Sequence, residues 1–140
     1  MTIVQVRWYG PYRLDYFDSR DIASYNGIYA IYRVFGGKES LLYIGKTGRS
    51  FKQRINEHNR NWLVDVRGEI KVRFGLLAYP NGKKHSIYKL NDTESLLIHW
   101  HSPSYNTLSR KWYRGRSTLT ILNVGRRGSL EKIIKSSVLF

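Results

Sequence analysis

Residues 27–50 read GIYAIYRVFGGKESLLYIGKTGRS. Residues 28–35 (IYAIYRVF) are apolar and rich in β-branched and aromatic side chains, the composition of a strand. Gly36-Gly37-Lys38-Glu39 is a turn signal, and residues 41–46 (LLYIGK) form a returning strand, so the stretch reads as a β-hairpin. Strand propensity accounts for the tyrosines. It does not account for a tyrosine beside a glycine on each arm, with a lysine directly after the second. Tyr29 and Tyr43 therefore have two readings, sheet packing and chemistry, and the hairpin alone does not separate them.

Outward from the hairpin the elements alternate. Upstream, residues 3–9 (IVQVRWY) alternate apolar and polar before Gly10-Pro11 and predict a strand; residues 15–26 predict a connection with a helical turn. Downstream, residues 50–62 predict a helix capped by Ser50. Residues 70–79 predict a strand closed by Pro80-Asn81-Gly82. A second helix is predicted over 91–102, stopped by Pro103, then a strand over 117–124 and a short last helix over 129–137. This mixed order predicts an α+β fold with a small antiparallel sheet. No repeat or linker divides residues 1–140, and the length fits one domain.

Charge narrows the function classes. The chain has 24 Lys and Arg against 10 Asp and Glu, a net charge of +14. Such an excess points to a polyanionic partner, nucleic acid before an acidic membrane surface; a merely well-solvated surface is the bland alternative. Residues 1–108 carry a net +7, and the far shorter 109–140 also +7. The absence of cysteine removes disulfides, thiolate metal sites and a cysteine nucleophile. No apolar run reaches membrane-spanning length and the N-terminus lacks a signal-peptide layout, so an intracellular protein, cytoplasmic or nucleoid-associated, is expected.

Helical phase isolates three charged or titratable groups. At about 100° per residue, Phe51, Ile55 and Trp62 form the apolar stripe of the first helix, and Arg54 and His58 fall within or beside it. An arginine there is either snorkelling past the core edge or facing a cleft. In the second helix Glu94 lies amid Leu90, Leu97 and Ile98. One reading is a capping box, with Asn91 as cap and Glu94 folding back to it. The other is a metal-ligating carboxylate, a hard oxygen donor suited to Mg²⁺.

GIY at 27–29, YIG at 43–45, Arg54, Glu94 and then an asparagine, in that order, resemble the GIY-YIG nuclease superfamily over about residues 26–107, with 108–140 as a basic aromatic extension. The resemblance implies a three-stranded antiparallel central sheet flanked by helices, with strand and helix additions at both ends. It also implies metal-dependent endonucleolytic hydrolysis of DNA phosphodiesters. Tyr29 would stand near the attacking water as its base and Tyr43 would position water or phosphate. Arg54 would contact the scissile phosphate, Glu94 would bind Mg²⁺ (Mn²⁺ as a substitute), and Asn106 would support the site. Lys46 and His58 match positions proposed to aid deprotonation of the tyrosine, by charge or by taking its proton. Bare backbone at Gly27 and Gly45 would let phosphate approach, or would accommodate a bulge or twist. His85, His99 and His101 do not form a zinc set and read as core or surface residues.

Residues 110–116 (RKWYRGR) interleave Arg110, Lys111, Arg114 and Arg116 with Trp112 and Tyr113, a texture suited to phosphates and exposed bases; a basic loop with two packed aromatics is the alternative. No helix-turn-helix or zinc finger is visible. A palindrome-cutting enzyme would need a homodimer, whereas a branch- or single-strand-selective one could act alone. An adaptor that binds nucleic acid without cutting it, and RNA as the substrate, are the competing classes.

Overall fold

The structure, a computed structural model, describes residues 1–140, with the Asn81 side chain left out. Six strands form one mixed sheet: β1 (Thr2–Arg13), β2 (Gly27–Phe35), β3 (Lys38–Thr47), β4 (Glu69–Ala78), β5 (Leu119–Gly125) and β6 (Ile133–Lys135), in the order β3-β2-β4-β1-β5-β6. Two α-helices pack on it, α1 (Phe51–Asn61) and α2 (Ile87–His101). The expected antiparallel trio is present as β3-β2-β4, but the sheet is not three-stranded. β1 pairs antiparallel with the free side of β4, β5 runs parallel to β1, and β6 closes against β5. The N-terminal strand β1 covers a β4 edge that would otherwise expose unpaired backbone.

Alternation along β2 divides the core. Ile28, Ala30 and Tyr32 pack on one face with Leu90, Leu97 and Ile98 of α2 and Val4 and Val6 of β1. Tyr29 and Ile31 pack on the other with Phe51 and Ile55 of α1 and Phe74 of β4. The two helices thus cover opposite faces, as the period-2 pattern of a strand buried on both sides requires.

Three expected boundaries are corrected. β1 continues through Gly10-Pro11 to Arg13, its pairing with β4 shifting between Tyr9 and Tyr12. α2 begins at Ile87, where the Ser86 hydroxyl accepts from Lys89 N at 3.1 Å, so Asn91 lies inside the helix and the capping-box reading of Glu94 falls away. The last segment is not a helix. Ile133 is exposed, Ile134 buried and Lys135 exposed, the two-residue period of β6, and a short 3₁₀ turn at Ser136–Leu139 follows.

Candidate active site

The hairpin register places Tyr29 opposite Gly45 and Ile31 opposite Tyr43. A Cβ on Gly45 would overlap the Tyr29 phenol. The glycine of the second tripeptide therefore makes room for the tyrosine of the first, and its vacant side-chain position is filled by that ring rather than open to phosphate. Gly27 has φ +145° and its Cβ would meet the Gly75 carbonyl of β4, so its bareness also serves packing within the sheet.

A capping box fixes the start of α1: Ser50 Oγ accepts from Gln53 N at 3.1 Å and Ser50 N donates to Gln53 Oε1 at 3.2 Å. From that origin the four-residue spacing carries Arg54, His58 and Trp62 over the hairpin. Tyr29 stacks on Tyr43 with centroids 6.2 Å apart, Tyr43 meets His58 at 4.8 Å, and Trp62 stacks on Tyr105 at 4.8 Å. Tyr29 Oη lies 2.7 Å from His58 Nε2, and Trp62 Nε1 donates to His58 Nδ1 at 2.8 Å. Burial, then the neighbouring Tyr43, pushes the Tyr29 hydroxyl well above the ordinary tyrosine range, and Arg54 opposes this. Burial, then the Glu94 charge, also raises Tyr43. His58 is pushed down to about 4 by burial, then by the Arg54 charge, so its imidazole is neutral at neutral pH.

Arg54 extends to the surface, where Nη1 donates to Glu57 Oε1 at 3.0 Å; Arg49 Nη2 donates to the same oxygen at 2.7 Å. Hydrogen bonds from Arg49, then Arg54, hold Glu57 down to about 2. Glu57 falls on the polar side of the α1 wheel, where helical phase gives no sign of its part in holding Arg54. The three-residue spacing of an opposite charge was the available signal.

Lys46 follows Gly45 and so points to the α2 face, where Nζ lies 3.5 Å from Glu94 Oε1. Burial raises the Glu94 carboxyl, opposed first by Lys46 and then by Arg54. Arg54 and Glu94 therefore do not share one sheet face, although each feels the other's charge. They approach the hairpin from opposite faces at β3, an edge strand. Asn106 is buried and pins that edge: its Nδ2 donates to Ile44 O and its Oδ1 accepts from Ile44 N, both at 2.9 Å. Tyr105 N adds a bond to Leu42 O at 2.8 Å.

Residues 25–64 match the family model of the GIY-YIG catalytic domain. That segment, less than a third of the chain, is similar to the GIY-YIG catalytic domain. The match takes in Tyr29, Tyr43, Lys46, Arg54 and His58 and ends before Glu94 and Asn106, which the fold brings to the same strand. No curated protein and no solved structure matches the chain.

GIY-YIG nucleases are generally dependent on a divalent metal. Glu94 is the donor here that would hold a divalent cation. Among the described residues no three His, Asp or Glu cluster, and Mg²⁺ is held by one or two carboxylates, its remaining positions filled by water and substrate phosphate. Glu94 supplies one such carboxylate, 18% exposed.

Outside residues 25–64, a groove of about 640 Å³ opens next to Asn106 and is lined in part by Arg110, Lys111 and Trp112. Trp112 is 71% exposed, and Arg110, Lys111 and Arg114 are exposed too. Arg116 is engaged within the fold, its Nε donating to Asp92 Oδ2 at 2.8 Å and its Nη1 to Thr2 Oγ1 at 3.1 Å. Tyr113 packs against the α2-side core and donates to Arg116 O at 2.7 Å. Of the remaining histidines, His85 bonds the Tyr79 hydroxyl at 2.6 Å and His101 bonds Leu97 O and Glu131 N, while His99 Nδ1 is buried without a hydrogen-bond partner. Among the described residues no helix is long and apolar enough to cross a membrane.

Proposed function

We propose that this chain is a Mg²⁺-dependent endonuclease that hydrolyses DNA phosphodiester bonds. The observation that carries the reading is the convergence at β3 of a guanidinium and two tyrosines from one face with a carboxylate and a lysine from the other. The GIY-YIG segment supplies the class of chemistry.

A phosphodiester repels nucleophiles and gathers negative charge as it is attacked. Arg54, tethered by the half-buried Glu57 and not sealed in the core, is free to exchange that partner for a phosphoryl oxygen. One such preorganised donor contributes about 10²–10³ in rate. A divalent cation on Glu94 would supply Lewis-acid stabilisation of phosphate and leaving oxygens. Tyr29 in the free protein is fully buried and protonated, so substrate binding must open its surroundings before it can serve a water. Neutralising Glu94 removes one of the charges that hold Tyr29 protonated, and the approach of Arg54 removes more of the cost. Tyr43, stacked on Tyr29 and half-buried, would orient water or phosphate. Arg110, Lys111, Trp112 and Arg114, in and beside the groove next to Asn106, would anchor the rest of the nucleic acid by phosphate pairing and base stacking.

The test is incubation of the chain with supercoiled plasmid, single-stranded DNA, branched DNA and RNA of matched sequence. Reactions contain Mg²⁺, Mn²⁺ or EDTA and compare wild type with Glu94→Ala. The expected result is metal-dependent cleavage of at least one DNA, lost in Glu94→Ala. Salt-sensitive binding with no cleavage of any DNA would make the chain an adaptor and overturn the reading, as would full activity in Glu94→Ala or cleavage of RNA alone.

A further inference from the structure

An indole N–H can only donate. Trp62 Nε1 donates to His58 Nδ1 at 2.8 Å, so Nδ1 presents a lone pair. A neutral imidazole carries its single proton on the other nitrogen, here Nε2, which lies 2.7 Å from Tyr29 Oη. A doubly protonated imidazole would set two N–H groups against each other at the indole. Burial favours the neutral ring as well.

We propose that Trp62 fixes the tautomer of His58, making His58 a hydrogen-bond donor to Tyr29 and not the acceptor of its proton. The hydrogen of the Tyr29 hydroxyl then points away from His58. If Tyr29 is deprotonated during the reaction, its proton leaves on the side away from α1, and the phenolate keeps the His58 N–H as a stabilising donor. Trp62 and His58 are positioning residues for Tyr29. The two residues are four apart on α1 with the tryptophan at its C-terminal end, so one helix turn sets the proton inventory of a strand residue. The catalytic meaning of this arrangement rests on the nuclease reading; the tautomer itself rests on the two hydrogen bonds.

The experiment uses the full chain with ¹⁵N-labelled histidine. In wild type, His58 should show a protonated, pyrrole-type Nε2 and an unprotonated, pyridine-type Nδ1. Trp62→Phe keeps a ring and removes the donor, and should shift His58 toward the Nδ1-protonated form. A pyrrole-type Nδ1 in wild type, or an unchanged tautomer in Trp62→Phe, overturns the proposal. These spectra need no turnover, so a chain that cleaves nothing counts against the nuclease reading while the tautomer is still decided. For a chain that cleaves DNA, His58→Gln retains an N–H donor in reach of Tyr29 and cannot act as a base near neutrality. It should keep kcat at least about tenfold above His58→Leu, with KM alike in both, because a lost hydrogen bond to a charged oxygen costs about that factor or more. Equal loss in the two variants overturns the donor role.

Discussion

The two faces of the hairpin are built differently. On the α1 face Tyr29, Tyr43, His58 and Trp62 form a closed cluster in which each ring is fixed by the next and His58 is bonded at both nitrogens. On the α2 face a half-buried carboxylate meets one lysine at 3.5 Å, a pairing that a stronger cation can replace. The first face is assembled before any ligand arrives, and the second is held in a form that invites exchange. Preorganised geometry and a replaceable ion pair are separate requirements of phosphoryl chemistry, and here they sit on opposite sides of one strand.

The faces should consequently break in different ways. The largest effect is expected from Glu94→Gln, which should lower cleavage by about 10²–10³-fold without lowering Tm, because it removes a partly desolvated charge and little packing. A concurrent fall in Tm would mean that Glu94 is structural. Gly45→Ala strikes the α1 face and should cost both properties: forcing a methyl group into the Tyr29 ring costs about 1–3 kcal/mol, measured by urea unfolding, with cleavage falling alongside. Unchanged stability would show that the hairpin register has slack. Asn106→Ala strips two partners from the Ile44 backbone at the shared edge. It should destabilise by about 1–3 kcal/mol, with faster amide exchange at Ile44 as the local sign.

A smaller effect concerns pH. His58 titrates near 4 when folded against about 6.5 when unfolded. Between those values the unfolded chain takes up a proton that the folded chain refuses, so the His58 contribution to stability is lost as pH falls through that window. Wild-type Tm should drop more steeply there than that of His58→Gln; parallel curves would remove His58 from the account. The smallest change is expected outside both faces. Lys111→Ala should weaken DNA binding and reduce the slope of log K against log salt by about 1, as read by titration at several salt concentrations, with stability unaltered.

Much of this was legible along the chain. The hairpin, the Ser50 cap and the inward phase of Arg54, His58 and Glu94 all follow from local patterns, because strand alternation and helical period are written in nearest neighbours. Glu57 was not legible as part of the site, since its exposed phase is that of any solvated residue and only the position of Arg54 gives it work. The start of α2 was misplaced by a turn because Ser86 follows a polar run that resembles a loop. The final strand was taken for a helix because GSLEKIIK pairs good helix formers with two isoleucines whose alternation matters only once β5 lies beside them.

The sequence by itself determined the ordered set of reactive residues and the dense positive charge, since both are properties of residue identity and spacing. Tertiary structure alone decided that the set is divided between two sheet faces, that Gly45 is bare for the sake of Tyr29, and that His58 donates to that tyrosine. Each of those depends on cross-strand register or on the direction of a hydrogen bond. Such relations join residues from Tyr29 to Asn106, and no local period can encode them.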